Sequence, residues 1–219
     1  MKKSKSEENN QPKEKDRYYD LKSEFGFKKV ISLQRELTRF QAFANAIFRG
    51  RPEFSDVAYV PNVINTPYKN VGMKKYDVLC RVTPDTLISA EMARYVEKDF
   101  FGRSLKRFGS LVSDIKFYNH DYTYKSFIHI NIANFIIWEE HSNYISFMDL
   151  RHGEEESRTE NYLDVTIELP KFIKNLSELT TELDKWLYLF KNLSNLKEIP
   201  EIYDSAFYKD LFLDAECNS

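Results

Sequence analysis

Two hydrophobic periods alternate along this chain, and together they predict a protein built from both helices and strands. Apolar residues spaced three and four apart form single stripes, the pattern of helices that bury one side. In the second such segment the stripe is Leu37, Phe40, Ala44 and Ile47. Helices are predicted at 25–30, between Ser32 and Arg49, and at 94–113, 177–192 and 203–215.

Other segments alternate apolar and polar residues with a period of two, which predicts strands with one buried face. In the clearest of them, Ile128, Ile130 and Ile132 fall on one face and His129 on the other. Strands are predicted at 54–60, 76–82, 87–92, 127–135, 144–150 and 162–169, with a loop at 62–72. Strands interspersed with helices predict an α/β fold.

Length and composition fit one domain after a polar tail. Residues 1–17 have no apolar residue beyond Met1, so they are predicted to be disordered, with the domain at 18–219. The net charge is −2, which excludes a uniformly basic nucleic-acid-coating protein, so any DNA contact must be local. No apolar run approaches the roughly 20 residues of a membrane span, and no secretory leader is present, so a cytoplasmic location is expected.

Two acids interrupt a segment that is otherwise mostly apolar. Residues 76–82 and 87–92 predict a β-hairpin, with Asp77 in its first strand and Glu91 in its second. A carboxylate in an apolar strand costs free energy unless a cation, a proton or hydrogen bonds compensate it. Two carboxylates on neighbouring strands can share one hard cation, typically Mg²⁺.

Such a site depends on the register of the hairpin. A two-residue turn that pairs Thr83 with Thr86 would set Glu91 opposite Val78, and the two acids would point to opposite faces. A bulge or a three-residue loop is therefore required to bring Asp77 and Glu91 together. From spacing alone, the alternative of two unrelated exposed strand acids stays open.

The predicted helix 94–113 has an apolar stripe with basic residues beside and opposite it. The stripe consists of Phe100, Phe101, Leu105, Phe108, Leu111 and Val112. Contacts to DNA phosphates are predicted for Arg94, Lys98, Arg103, Lys106 and Arg107. A basic surface that is simply solvated is the alternative.

Several other chemistries are not supported by the sequence. There is no glycine-rich phosphate loop and no Gly-x-Ser-x-Gly nucleophile motif. The four histidines form no i, i+4 pair and have no nearby cysteine, so a zinc site is not expected. Cys80 has no base close by in the sequence, which favours a buried structural thiol over a nucleophile.

Short motifs follow one another from residue 20 towards the C-terminus. They are Asp20-Leu-Lys-Ser-Glu-Phe-Gly-Phe-Lys-Lys, Phe43-Ala-Asn-Ala-Ile, Tyr76-Asp-Val-Leu-Cys, Ala90-Glu-Met, Phe100-Phe-Gly-Arg-Ser-Leu, Tyr122-Thr-Tyr-Lys, Asn134-Phe, Glu168-Leu-Pro-Lys-Phe, Lys185-Trp-Leu-Tyr-Leu-Phe-Lys and Glu198-Ile-Pro. No single motif is specific. Their order resembles the Rpn-type recombination-promoting nucleases, the PD-(D/E)XK nuclease family transposases of mobile elements.

The resemblance implies a restriction-endonuclease-like core of order α-β-β-β-α-β, with a central mixed sheet flanked by helices. It also implies a phosphodiesterase site that uses Mg²⁺ or Mn²⁺ and acts on DNA. Asp77 and Glu91 match the family's metal-binding catalytic acids, and Glu36 lies near a helix acid that some members add. The cation would neutralise charge on the scissile phosphate and lower the pKa of a bound water.

The chain departs from the family pattern after Glu91. The family usually has Glu-Met-Gln there, and the wider superfamily has Lys at the third position to orient or activate water. This chain has Ala93, a loss that commonly costs about two to four orders of magnitude in rate. Lys98 and Arg94 are candidates to replace the missing group.

The sequence therefore predicts a metal-dependent DNA endonuclease with a weakened site. The chain stops at Ser219, where relatives commonly continue, which adds the expectation of a shortened copy. One alternative is a catalytically inactive DNA-binding remnant of a mobile-element nuclease. The other is a protein-interaction module that uses its many aromatic residues as a contact surface. The oligomeric state is not predicted.

Overall fold

The computed structural model describes residues 16–31, 37–50, 53–55, 57–60, 63–64, 74–96, 98–113, 115, 124–151 and 158–217. Within these residues the α-helices are α1 (Glu24–Ile31), α2 (Leu37–Ile47), α3 (Phe100–Ser113), α4 (Glu182–Asn192) and α5 (Ala206–Ala215). The strands are β1 (Ala58–Tyr59), β2 (Val63–Ile64), β3 (Lys74–Lys75), β4 (Val78–Thr83), β5 (Thr86–Ala93), β6 (Ser126–Ala133), β7 (Ile145–Arg151) and β8 (Arg158–Glu168).

Six of these strands form one mixed sheet in the order β1-β4-β5-β6-β8-β7, and β2 pairs with β3 separately. Strands β1, β4 and β5 are successively antiparallel, β5, β6 and β8 are parallel, and β7 is antiparallel to β8. Helix α3 makes the crossover that the parallel neighbours β5 and β6 require. The order α2, β1, β4, β5, α3, β6 matches the implied core, and the predicted α/β fold with a helix-flanked mixed sheet is confirmed.

The two faces of the sheet differ in chemistry, and this difference decides where a polar site can lie. On one face, Ile128, Ile130 and Ile132 belong to an apolar core that includes buried residues of α1, α2, α4 and α5. Each fully buried large apolar side chain contributes about 1.5–3 kcal/mol, so this face supplies most of the stability. On the other face, Phe108 and Leu111 of α3 pack against the sheet, and many neighbouring buried positions are polar.

Helix α3 begins later than predicted, at Phe100 instead of residue 94. Asp99 has a φ of 53°, and its carboxylate accepts a hydrogen bond from the backbone N–H of Gly102. A positive φ ends any continuous helix, and the Asp side chain satisfies one of the N–H groups that a helix start leaves unpaired. Arg94 and Lys98 therefore lie before the helix.

The side of α3 that faces the sheet also differs from the predicted stripe. Phe101 and Leu105 are 38% and 54% exposed, whereas Ser104 is buried. The hydroxyl of Ser104 donates a hydrogen bond to Asn131 of β6 at 2.9 Å. Because the sheet presents polar groups here, the helix turns a polar position inward, which a count of apolar residues cannot anticipate.

Three other predicted boundaries are corrected. Among the described residues of the strand predicted at 54–60, only those of β1 form a strand, and the backbone of Phe54 is hydrogen-bonded to the side chains of Gln41 and Asn45 instead of to a strand. In the predicted loop, residues 63–64 pair with β3. Helix α4 starts at Glu182 instead of residue 177, because Thr181 forms its N-terminal capping box.

Both ends of the described chain are joined near α5. Arg17, predicted to belong to the disordered tail, forms an ion pair with Glu216 at 2.7 Å, and its backbone oxygen accepts from the N–H of Cys217. The rest of the predicted tail up to residue 15 lies outside the described residues, as do Ser32 and Glu36. Helix α5 begins after Ser205, whose hydroxyl caps it.

Candidate active site

The hairpin of β4 and β5 contains the bulge that the site requires. Its turn pairs Thr83 with Thr86, but the register shifts between Arg81 and Thr83, which adds one residue to β4. Continued beyond the bulge to the residue before β4, the register sets Asp77 opposite Glu91. Residues directly opposite each other in an antiparallel pair share a face. The condition that the sequence imposes on the two acids is therefore met.

Asp77 and Glu91 line the same open cavity, which has a volume of about 500 Å³. The cavity lies towards the carboxyl ends of the parallel strands β5 and β6, the usual place for sites in such sheets. Its lining, within the described residues, consists of Glu24, Lys28, Asp77, Glu91, Met92, Ala93, Arg94, Tyr95, Phe100, Arg107 and Asn131. The two predicted acids are thus brought together with a set of basic and polar residues.

Asp77 is held by groups from two different elements. One carboxylate oxygen accepts from the backbone N–H of Met92 at 3.1 Å, and the other accepts from the ammonium of Lys28 on α1 at 2.8 Å. Lys28 also pairs with Glu24, one turn earlier on the helix. Burial acts to lower the pKa of Lys28, but hydrogen bonds to Asp77 and Glu24 outweigh it and raise that pKa. The ammonium charge is therefore present at neutral pH.

Glu91 has its own basic partner. Arg107 of α3 donates to its carboxylate at 2.6 Å, and Glu91 is only 13% exposed. Arg107, predicted as a DNA phosphate contact, is therefore already engaged with an acid of the cavity. Sequence reasoning placed this arginine on the correct helix but could not identify its partner, because that contact depends on how α3 crosses the sheet.

Ala93 lines the cavity and leaves it without a polar side chain at that strand position. Arg94, a candidate replacement, also lines the cavity, and its guanidinium lies 3.5 Å from Asp20. Lys98, the other candidate, is exposed and is not among the described lining residues. Arg103 and Lys106 are exposed on α3, consistent with either a phosphate contact or a solvated surface.

The donors in the cavity fit a small hard cation. In the part of the chain that the structure describes, no group of three or more His, Cys, Asp or Glu residues is placed to hold a metal, so two carboxylates would have to suffice. Mg²⁺ is commonly held by one or two carboxylates, with water and substrate phosphate completing the shell. A carboxylate has about four lone-pair sites, and the two contacts of Asp77 leave room for a metal.

A buried polar network lies next to the cavity on the α3 face. Asn131, which lines the cavity, donates to Asp164 of β8 at 3.2 Å, and Ser89 contacts Nδ1 of His129 at 2.7 Å. Burial and the charge of Arg107 lower the pKa of His129 to about 4, and burial raises the pKa of Asp164 to about 6. Both groups are therefore kept largely neutral in mildly acidic solution. The sequence does not predict this network, although His129 and Asn131 alternate with apolar residues along β6.

This network predicts a specific change in the pH dependence of stability. Folded His129 stays neutral down to about pH 4 while its unfolded form titrates near 6.5, so its contribution falls as the pH falls through that window. Asp164 acts oppositely, since burial raises its folded pKa to about 6, above the ordinary value of 3.8 that applies when the chain is unfolded. We expect Asp164→Asn to remove this compensation, so that its free energy of unfolding falls by about 1.5 kcal/mol more than that of wild type between pH 6 and 4.5.

Urea denaturation of both proteins across this pH range measures the effect. The exposed Asp204 provides the control, because Asp204→Asn should follow the wild-type pH curve. If the free energy of unfolding changed with pH in the same way in Asp164→Asn and wild type, the opposing contribution of Asp164 would be disproved.

Cys80 is buried, and burial raises the pKa of its thiol to about 12, which agrees with a structural role.

None of the helices in the described part of the chain has the length and hydrophobicity that a membrane crossing requires.

Comparison with known proteins places this geometry in a family. The profile of the PD-(D/E)XK nuclease family transposases matches residues 21–218, which include α1, the hairpin and all the later elements. No curated protein and no solved structure matches the chain. PD-(D/E)XK nucleases generally use divalent metal ions, in agreement with the oxygen donors of the cavity. Since the profile covers nearly the whole chain, the protein belongs to the PD-(D/E)XK nuclease family transposases.

Proposed function

We propose that this protein is a DNA endonuclease that hydrolyses phosphodiester bonds with the help of Mg²⁺ or Mn²⁺ bound by Asp77 and Glu91. The observation that supports this most is the bulge in β4, which brings the two acids opposite each other in one open cavity. Without that extra residue, the same sequence would direct them to opposite faces of the sheet. Family membership supports the same reaction class.

In the proposed reaction, water adds to the phosphorus and the bond to the leaving oxygen breaks. The proton of the water passes to solvent, and the leaving oxygen takes up a proton, which gives a phosphate monoester end and a hydroxyl end. A bound divalent ion would neutralise charge on the phosphate and lower the pKa of the attacking water. Asp77 and Glu91 would fix its position, while the cations around the cavity would attract the phosphate.

DNA would be bound mainly through its phosphates. Arg94 lines the cavity, and Lys98, Arg103 and Lys106 are exposed near the start or along the length of α3. Such contacts position the backbone but read little sequence, and each one makes binding more salt-dependent. Arg107 would contact phosphate only by exchanging its pair with Glu91.

A second candidate function is DNA binding without cleavage. Two observations favour it: each acid already has a basic partner, and Ala93 offers no polar group to position water. In that case Lys28 and Arg107 would permanently provide the positive charge that a metal otherwise supplies. The two candidates predict the same DNA affinity and different chemistry.

Supercoiled plasmid distinguishes the two candidates. The purified full-length protein is incubated with plasmid in Mg²⁺, in Mn²⁺ and in EDTA, and nicked and linear products are quantified. We expect nicking that requires the added ion and is slow, because a missing water-positioning group costs about two to four orders of magnitude. The Asp77→Asn variant, purified in the same way, controls for a contaminating nuclease.

A gel-shift titration across salt completes the experiment. Salt-sensitive binding without any metal-dependent nicking would support the second candidate and contradict the first. Absence of binding even at low salt would contradict both, since phosphate contacts are strongest there.

A further inference from the structure

The cavity contains a basic side chain from α1, although β5 contributes none at Ala93. Ala93, two residues after Glu91 on β5, contributes only a methyl group to the lining. Lys28 enters the same cavity from α1, a different element, and its ammonium lies 2.8 Å from Asp77. A lysine ammonium is a compact point charge that can donate to a phosphate or a water, so it offers the chemistry that Ala93 lacks.

The anchoring of Lys28 suits such a role. Its neighbour Phe27 is fully buried in the main core, as are Val30 and Ile31 of the same helix. The Lys28 side chain is only 21% exposed, so its position is fixed by the fold. Groups on rigid elements, held by packing, keep the geometry that catalysis needs.

The two carboxylates that hold Lys28 are not equivalent. Asp77 is 18% exposed and also bonded to the backbone, whereas Glu24 is 69% exposed. An ion pair with an exposed carboxylate is screened by solvent and contributes little. A phosphate oxygen can therefore replace Glu24 as a partner of Lys28 while Asp77 continues to orient the ammonium.

We propose that Lys28 contacts the scissile phosphate and its attacking water, and so replaces the polar group missing at Ala93. The inference rests on the proposed phosphodiester hydrolysis. Lys28 donates hydrogen bonds and positive charge, and no proton is transferred to or from it. Arg94 is the less suitable candidate, because it is 43% exposed and its guanidinium is directed to Asp20.

The test moves the ammonium between the two elements. Lys28→Met keeps the length of the side chain and removes its charge, and we expect plasmid cleavage to fall by about 10²-fold or more. Adding Ala93→Lys to this variant returns an ammonium to the same cavity from the strand, and at least about tenfold of the lost rate should return. Lys29→Met is the matched control, because Lys29 contacts Tyr19 instead of the cavity.

DNA binding provides a readout that does not depend on cleavage. With metal-free protein and a DNA duplex, the magnitude of the negative slope of log affinity against log salt should fall by about 0.9 in Lys28→Met and stay unchanged in Lys29→Met. Lys28→Arg, which keeps the charge, should keep the wild-type slope. Thermal unfolding of each variant verifies that the fold is retained.

The outcomes separate this inference from the proposed function. Wild-type cleavage together with an unchanged rate and slope in Lys28→Met would overturn the role of Lys28 and leave the nuclease proposal intact. A reduced rate in Lys28→Met with an unchanged salt slope and no rescue by Ala93→Lys would show that Lys28 acts only by holding Asp77, which also overturns it. If wild type does not cleave, the nuclease proposal fails, and a reduced slope in Lys28→Met still supports the phosphate contact.

Discussion

Asp77→Asn is expected to lower metal-dependent DNA cleavage by about 10²- to 10³-fold. A bound divalent ion supplies several kcal/mol of charge stabilisation in the transition state, and each 1.36 kcal/mol corresponds to a factor of ten in rate. Asn keeps the shape of the side chain and can still accept from the N–H of Met92, so the strand end should stay in place. The measurement is the initial rate of plasmid nicking at saturating Mg²⁺.

Glu91→Gln should have an effect of similar size, for a further reason. The carboxylate of Glu91 is mostly buried and neutralises Arg107, so Gln leaves an uncompensated guanidinium beside the cavity. That positive charge would repel a divalent ion, and the substitution also removes one of the two carboxylates proposed to bind the ion. We therefore expect the variant to need a higher Mg²⁺ concentration for any residual activity.

Asp85→Asn is the matched control for both variants. Asp85 belongs to the same hairpin, but its carboxylate accepts from Thr83 in the turn and it is not among the described lining residues of the cavity. Its cleavage rate should equal that of wild type. Equal rates for Asp77→Asn, Asp85→Asn and wild type would contradict the assignment of the acids, provided that all three proteins unfold at similar temperatures.

The sequence predicted much of this site because local patterns determine much of it. The turn residues and the two apolar runs define the hairpin. Because successive side chains of a strand point to opposite faces, Asp77 and Glu91 can share a face after a Thr83–Thr86 turn only if the hairpin contains a bulge. The register shift between Arg81 and Thr83 satisfies that requirement. The sequence alone could not distinguish a hairpin with a bulge from one without it, because both are compatible with the same run of apolar residues.

The sequence could not predict contacts between elements that are far apart along the chain. Helix α2 and the strands β1, β2 and β3 lie between Lys28 and Asp77 along the described chain, and Arg107 meets Glu91 only through the crossover of α3. Helical spacing locates both basic residues on their helices but contains no information about the angle at which those helices pack. The inward position of Ser104 has the same cause, since it depends on the polar side chain of Asn131.

The second large effect concerns Glu168, the first residue of the motif Glu-Leu-Pro-Lys-Phe. Its carboxylate is 1% exposed and accepts from the backbone N–H groups of Ile137 and Trp138, and from Lys171 at 2.7 Å. Lys171, itself 8% exposed, also donates to the backbone oxygen of Trp138. This ion pair therefore fastens the segment after β6 to the end of β8, which assigns the motif a structural role.

Glu168→Ala is expected to destabilise the protein by about 3–5 kcal/mol. The substitution leaves the ammonium of Lys171 buried without its carboxylate and two backbone N–H groups without their acceptor, and removing one member of a buried pair costs this much. For a chain of this size the midpoint of thermal unfolding should fall by roughly 10 °C. Asp204→Ala, which breaks an exposed pair with Lys209, should leave the midpoint nearly unchanged.

The double variant Glu168→Ala/Lys171→Met identifies the source of this loss. If the cost comes mainly from an unpaired buried charge, replacing Lys171 by an apolar side chain of similar length should recover part of the stability that Glu168→Ala loses. If it comes mainly from the unsatisfied backbone N–H groups, the double variant should be no more stable than the single one. A midpoint for Glu168→Ala equal to that of Asp204→Ala would contradict the structural role of the motif.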